Sequence, residues 1–233
     1  MAKMTPGAIV SEIRGKIAST VWSRNKAGAV IRNRVTPINR RSVLQTQLRQ
    51  ELSALAQSWR GLTDAQRASW NSLAQQLPQS DNLGQTIFVS GEDMYVRCNA
   101  NRIVIGEDPD LALAPAPTSF PVLQIGALTV SAAGGTFTAA FTPDPVPTGM
   151  ALVIRATAPQ SAGKTFVSPS LFRQIQVEDA ADTSPADLAT NYIAKFGALT
   201  NVAGSRIFVE MFLVEVASGL AGQKVRASVI IGA

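Results

Sequence analysis

The chain has 233 residues, of which 46% are hydrophobic and 16% charged, and its formal net charge at pH 7 is +5. This length and composition suit one large or two small folded domains and exclude a chain that is disordered throughout. The sequence has no histidine and a single cysteine, Cys98, which excludes Ser-His-Asp and Cys-His catalysis, an internal disulfide and a multi-cysteine metal site.

The positive charge is concentrated at one end of the chain. Residues 1–60 contain eleven lysines and arginines against Glu12 and Glu51, a net charge of +9, whereas residues 111–233 are neutral. There is no apolar run of 18 residues and no apolar signal core. We therefore expect a protein that neither spans a membrane nor has a secretory signal peptide, with its positive field at the N-terminal end.

Residues 1–41 are predicted to form a basic extended arm that contains a β-hairpin. The segments 17–24 and 29–35 are rich in β-branched residues, and the connection 25–28 places Asn25 and Gly28 where left-handed backbone is least costly. A two-stranded ribbon alone is marginally stable in water. We therefore expect the apolar side of the hairpin to lie against another structure.

Residues 42–106 are predicted to contain three helices. Ser42 with Gln45, and Thr63 with Gln66, form capping boxes for the first two, which the short connection 60–62 makes a helical hairpin. Apolar residues at helical spacing follow each cap: Leu44, Leu48, Leu52, Leu55 and Trp59, then Trp70, Leu73 and Leu77 before Pro78. The third helix is expected from about Ser90 to Ile105, with Gly106 ending it and an apolar stripe of Val89, Val96, Ala100 and Ile103.

The rest of the chain is predicted to be a Pro-rich linker, 107–119, and a β-sandwich domain, 120–233. Three prolines among short residues exclude a continuous helix or a central strand in the linker. The segments 122–131, 136–142, 150–157, 170–178, 205–216 and 223–231 show strand patterns, and a short helix is expected within 185–196. The predicted fold class is α+β, with an immunoglobulin-like or fibronectin-like sandwich after the helices.

The sequence predicts no catalytic, metal-binding or cofactor-binding residue, and we expect no enzyme. Its acidic residues show no spacing typical of a paired-carboxylate site, and the Gly-rich segments 132–135 and 161–164 lack the frame of a phosphate loop. Cys98 is expected to be a buried or unreactive thiol within a helix, and not a nucleophile. The basic arm is the candidate binding site, and the residues that we expect to contact a partner are Trp22, Arg24, Arg32, Arg34, Arg40 and Arg41.

Several of these motifs together resemble a known group of proteins. The residues are 14–16, 21–25, Gly28, 31–34, 37–39, 46–47, Arg49, the segment 59–67 with Trp59, Leu62, Thr63, Gln66 and Arg67, and then Trp70-Asn71. In this order they resemble uncharacterised structural proteins of tailed bacteriophages and prophages. Those proteins have a basic hairpin and a W-x-x-L-T-x-x-Q-R-x-x-W helical hairpin before a variable β-rich C-terminus. The resemblance covers roughly residues 10–105 and implies a virion context; it implies no catalytic residues.

The first hypothesis is a non-enzymatic virion protein, a capsid-bound decoration or cement subunit or a protein of the head–tail region. It would be assembled in the host bacterial cytoplasm, present in many copies or as a homo-oligomer, and bound to the major capsid or connector protein. The second is a nucleic-acid-binding protein that uses the basic arm, although the second helix offers only Gln66, Arg67 and Asn71 for base contacts. The third is a tail-associated receptor-binding or glycan-binding module that uses the sandwich loops.

Overall fold

A computed structural model of the chain describes residues 2–5, 12–25, 28–36, 42–80, 83–109, 112–200 and 202–232. These residues form helices and antiparallel sheets, which confirms the α+β class. The chain divides into two compact units, Met1–Met94 and Tyr95–Ala233. Within the described ranges, no helix is both long enough and apolar enough to cross a membrane.

The first unit begins with a four-stranded antiparallel sheet. Its strands are β1 (Ala2–Met4), β2 (Gly15–Ile17), β3 (Thr20–Asn25) and β4 (Gly28–Asn33), in the order β1-β4-β3-β2. The predicted hairpin is present as β3 and β4, in which Asn25 pairs with Gly28.

The prediction of one strand over 17–24 was wrong, because the chain reverses at Ala18 and Ser19. Ile17 ends β2 and pairs with Thr20 in β3. The turn depends on Ala18 at φ 48°, a conformation that alanine rarely adopts. No glycine, proline or asparagine therefore marks the turn in the sequence. The backbone N–H of Arg34 donates to the Ser19 carbonyl at 2.6 Å and holds the turn against the end of β4.

The predicted helical hairpin is present as α1 (Val43–Gly61) and α2 (Asp64–Gln76). The Ser42 hydroxyl accepts from the N–H of Gln45, and α2 has the complete capping box of Thr63 and Gln66. Trp70, Leu73 and Ala74 are buried on α2. Two short strands, β5 (Gln79–Ser80) and β6 (Thr86–Ile87), follow.

The apolar stripe predicted for α1 is buried only in part. Leu55 is 3% exposed, whereas Leu48 is 56% and Leu52 41% exposed. The spacing of apolar residues therefore predicted the helix correctly, but it did not predict how much of the apolar face would be buried.

Helix α3 (Gly91–Val104) has the predicted ends but buries a different face. Ser90 and Asp93 cap each other reciprocally, and Gly106 follows at φ 87°. The buried residues are Met94, Tyr95, Cys98 and Asn99, whereas Val96 and Ala100 of the predicted stripe are half-buried. Asn99 can be buried because its side-chain amide donates to the Tyr95 carbonyl at 3.0 Å, so its polarity is satisfied within the helix.

The second unit includes α3 from Tyr95 onward. The Asn101 side chain donates to the Gly219 carbonyl at 2.8 Å, and Arg102 donates to the carbonyls of Val216 and Ala217. A side chain at position 219 would collide with the Cys98 carbonyl, so the close approach of backbone to helix requires glycine. The Pro-rich segment 107–119 has no helix or strand among its described residues, and the division between the units lies within α3.

Two antiparallel sheets form the body of the second unit. The first has the order β11 (Ala186–Asp187), β8 (Thr136–Thr142), β7 (Gln124–Ser131). The second has the order β10 (Arg173–Glu178), β9 (Met150–Ala156), β12 (Arg206–Glu215), β13 (Val225–Ile230). All six predicted strand segments are therefore confirmed, and the Gly-rich segment 132–135 is the turn between β7 and β8.

The core of the second unit lies between these two sheets. Phe137 and Phe141 of one sheet share a single buried cluster with Leu152, Ile154 and Met211 of the other. Helix α4 (Ala189–Phe196) confirms the predicted short helix and adds Tyr192 to this cluster. The Tyr192 hydroxyl donates to the Thr157 carbonyl at 2.9 Å, and burial raises the pKa of this phenol.

Candidate functional site

The N-terminal sheet has two faces that differ in chemistry. Residues paired directly across antiparallel strands lie on the same face. Trp22 pairs with Ile31, Arg24 with Ala29, and Ile17 with Thr20, so these residues form one face, called here the Trp22 face. The opposite face, the Arg32 face, contains Lys16, Val21, Val30 and Arg32.

The arginines predicted to bind a partner are divided between these faces. Arg24 lies on the Trp22 face, 3.7 Å from the Glu12 carboxylate, which also pairs with Arg14 at 2.7 Å. Arg32 lies on the other face, and Arg34 follows the end of β4 with its side chain exposed. Arg40 and Arg41 lie outside the described residues. The structure thus brings Trp22 and Arg24 together and separates them from Arg32.

The N-terminal sheet buries little of its own surface. Of the side chains described between residues 4 and 36, only Val30 is buried. Trp22 and Ile31 are half-buried, and Ile17 and Val35 are 66% and 74% exposed. The indole Nε1 of Trp22 is shielded from solvent and has no hydrogen-bond acceptor among the described residues. This sheet therefore exposes apolar and cationic groups side by side.

The residues of the tryptophan motif hold the helical hairpin together. The Arg67 guanidinium donates to the Arg60 carbonyl at 2.7 Å and to the Trp59 carbonyl at 3.4 Å, so it caps the C-terminal end of α1. The Asn71 side chain accepts from the N–H of Gly91 at 3.1 Å, at the start of α3. Trp70 is fully buried.

These contacts bear on nucleic-acid recognition by α2. Gln66 is occupied by the capping box, Arg67 by the end of α1, and Asn71 by Gly91. These are the three side chains that the sequence offers for base contacts. Because each is engaged within the fold, α2 is poorly equipped to act as a recognition helix.

A second charged cluster lies on the outer face of the four-stranded sheet. Glu210 of β12 is buried, with its side chain 3% exposed. Its carboxylate contacts Arg226 of β13 at 2.7 Å and lies 3.8 Å from both Arg155 of β9 and Lys224. Burial lowers the pKa of Arg155, and the Glu210 carboxylate opposes that effect. Sequence reasoning missed this cluster because sheet pairing brings its members together from three distant segments.

Aromatic rings support the same cluster. The Phe212 ring lies 4.8 Å from the Arg155 guanidinium and 5.1 Å from the Lys224 ammonium, and Phe172 lies 5.1 Å from Arg226. These are cation–π distances. The one sequence signal for this arrangement is the alternation Phe208-Val-Glu-Met-Phe212, which puts a carboxylate between two aromatic residues on one strand face.

Cys98 is fully buried, and burial raises the pKa of its thiol to about 12. It is therefore a neutral thiol at physiological pH, as the sequence predicted for a buried cysteine. Within the described ranges, no three of the metal-ligating residue types come together in a group that could hold a metal ion.

Comparisons of the chain with protein-family models, with curated proteins and with solved structures found no match.

Proposed function

We propose that this protein is a non-enzymatic structural component of a tailed-bacteriophage virion, attached to the particle by its basic N-terminal region. The observation that carries the proposal is the exposed state of the N-terminal sheet, in which only Val30 is buried among the side chains described between residues 4 and 36. A sheet with so small a core gains little stability from its own packing. Its order is best explained by a partner that covers it.

The chemistry of the sheet indicates what kind of partner this is. Trp22 and Ile31 offer apolar area beside Arg24, and Trp and Arg are the residue types enriched in binding hot spots. The net charge of +9 over residues 1–60 favours a partner surface rich in carboxylates. The proposed partner is the major capsid or connector protein, which would also present the chain in many copies. The sequence resemblance to phage structural proteins points in the same direction.

The edges of the sheet give a second means of attachment. Among the described strands of this sheet, β2 is at one edge, and all three of its residues are exposed. An open edge can accept an added strand through main-chain hydrogen bonds. A capsid protein with an extended loop or arm could pair there while its carboxylates meet the arginines.

For the second unit, we propose an immunoglobulin-like sandwich of the fibronectin type. Named A to G in chain order, the seven strands form one sheet of A, B and E and another of D, C, F and G. In immunoglobulin constant domains the fourth strand instead joins the sheet of A, B and E. The shared core between the two sheets supports this assignment, and a sandwich of this kind would project from the particle.

The first experiment is to test whether the chain is present in particles purified from the phage or prophage that encodes it. Deletion of residues 1–41 should then abolish incorporation, while the far-UV circular dichroism of the purified variant keeps the helix and strand signals of the remaining chain. Mass spectrometry of particles assembled with each variant gives the copy number.

Charge reversals locate the attachment within the N-terminal region. Replacing both Arg32 and Arg34 by glutamate should lower incorporation at least about tenfold, because each pair with a partner carboxylate becomes a repulsion. Arg24→Glu tests the Trp22 face separately, because Arg24 and Arg32 lie on opposite faces. The matched control reverses Lys164 and Lys195, which lie in the neutral half of the chain. Normal incorporation of the deletion variant, or absence of the wild-type chain from purified particles, would contradict the proposal.

A further inference from the structure

The cluster around Glu210 contains more positive charge than its carboxylate requires. Arg226 alone supplies two close contacts to one carboxylate oxygen, from Nε at 2.8 Å and from Nη2 at 2.7 Å. A charge-assisted pair of this kind satisfies a buried carboxylate. Arg155 and Lys224 lie 3.8 Å from the other oxygen, beyond hydrogen-bonding distance. Three cations and one carboxylate leave a local excess of two positive charges.

Arg155 and Lys224 contact the Glu210 carboxylate only as ion pairs at 3.8 Å. Among the described residues, neither side chain donates a hydrogen bond, although that of Arg155 is only 27% exposed. Within the part of the chain that the structure describes, the side-chain nitrogens that are sealed from solvent without a hydrogen-bond partner are Trp22 Nε1 and Arg206 Nε, so no nitrogen of Arg155 is sealed in this way. These donors are therefore unsatisfied by protein and accessible to a ligand.

The cations are nevertheless held in place. Arg155 and Lys224 both lie over the Phe212 ring, and Arg226 lies over Phe172. The aromatic faces and Glu210 hold three groups together that would otherwise repel each other. A ligand that binds here meets side chains that are already ordered, which reduces the entropy lost on binding.

Two apolar clusters lie on the outer face of β12, on either side of Glu210. On the outer face of β12, Phe208 packs with Val167 and Phe172, and Phe212 lies in a separate apolar cluster with Val153 and Val214. Glu210 lies between these two clusters on the same strand. The charged groups thus occupy a stretch of the β12 outer face that belongs to neither apolar cluster.

We propose that Arg155, Lys224 and Arg226 form a binding site for a phosphate group. A phosphate monoester carries about −1.5 to −2 charges at neutral pH, which matches the excess of two positive charges, whereas a carboxylate carries only one. Its three terminal oxygens can accept from cations on β9, on β13 and just before β13. Guanidinium groups also suit phosphate geometry well. This site lies outside the N-terminal region, and the proposal that it binds phosphate does not depend on the proposed virion function.

The test is a calorimetric titration of the full chain at constant ionic strength, with sodium phosphate, glycerol 1-phosphate and D-glucuronate as separate ligands and chloride as the balancing salt. Saturable binding of both phosphates, tighter than that of glucuronate, is expected. Equal affinity for the two phosphates points to the free ion as the natural ligand, and tighter binding of the ester points to a phosphate carried on a larger molecule.

Variants separate a ligand site from a purely structural ion network. Lys224→Gln, at a half-exposed side chain, should keep the fold and weaken phosphate binding roughly three- to tenfold. Lys195→Gln removes the same charge elsewhere in the unit and should leave affinity unchanged. Glu210→Gln raises the local excess of positive charge from two to three, while the Phe212 and Phe172 rings still hold the cations, so it should tighten phosphate binding. A structural network alone predicts no such gain. The proposal is overturned if phosphate acts no differently from chloride, if glucuronate binds as tightly as phosphate, or if the two lysine variants bind alike.

Discussion

The two units of the chain bury their apolar residues to very different extents. Of the hydrophobic residues buried in the described part of the chain, six lie in Met1–Met94 and thirty in Tyr95–Ala233. The difference in length is far too small to explain this ratio. The second unit has a core of its own, and the first leaves much of its apolar surface uncovered.

Single elements show the same contrast. Eight consecutive residues of β12 are buried, so both faces of that strand are covered. In α1, a helix of 19 residues, Leu55 is buried, whereas Val43, Leu48 and Leu52 are exposed. An apolar stripe that the fold leaves exposed is a common mark of a binding surface. The comparison therefore indicates that the second unit has a self-sufficient core, and it agrees with the proposal that a partner covers the first unit.

The largest expected effect comes from removing α3 from the second unit. A fragment of residues 90–233 should unfold cooperatively, and a fragment of residues 118–233 should be less stable by about 3–6 kcal/mol. The shorter fragment loses Val104 and Ile105, which pack on the cluster of Val153, Phe212 and Val214. It also loses the Arg102 hydrogen bonds to Val216 and Ala217. Urea unfolding followed by far-UV circular dichroism measures the difference; equal stability would place α3 outside the cooperative unit.

A pair of matched leucine substitutions tests the comparison directly. Leu152→Ala should destabilise the second unit by about 2–5 kcal/mol, because it leaves a cavity in a fully buried core. Leu48→Ala, at an exposed position of α1, should change the stability of the first unit by less than about 0.5 kcal/mol.

The chain offers a separate probe for each unit. All three tryptophans, Trp22, Trp59 and Trp70, lie in the first unit, so tryptophan fluorescence follows its unfolding. The strand signal of circular dichroism comes mainly from the second unit. If Leu48→Ala shifts the fluorescence transition as far as Leu152→Ala shifts the dichroism transition, Leu48 has a core role and the contrast between the units fails.

Sequence reasoning was most successful where the cause of a structure is local. The Thr63–Gln66 and Ser90–Asp93 caps mark helix starts because the groups that satisfy the first amides are within three residues. The six strand segments follow from alternation and turn residues. Such signals need no knowledge of the rest of the fold.

Features that depend on distant contacts could not be predicted. The prediction of the buried face of α3 was wrong partly because the Arg102 side chain donates to carbonyls more than a hundred residues away, those of Val216 and Ala217. The Glu210 cluster joins residues from β9, β12 and β13, which only the strand order brings together. Trp22, Arg24 and Arg32 lie on the predicted hairpin, but the assignment of Arg24 and Arg32 to opposite faces required the register of β3 and β4.

The smallest expected effect is on nucleic-acid binding at physiological salt, where we expect none that is specific. The net charge of +9 over residues 1–60 should retard DNA at low salt, because releasing condensed counterions from the phosphates drives nonspecific binding. That retardation should disappear near ~150 mM salt and show no sequence preference, since Gln66, Arg67 and Asn71 of α2 are engaged within the fold.

Arg32→Glu should weaken the low-salt retardation, and Lys195→Glu should weaken it less, because Lys195 lies in the neutral half of the chain. Mobility-shift titrations with two unrelated duplexes, each at low salt and at ~150 mM, measure the salt dependence, the sequence preference and the effect of both substitutions. Nanomolar binding that prefers one duplex at ~150 mM salt would identify nucleic acid as the partner of the first unit. It would contradict the proposal that a virion protein covers the N-terminal sheet.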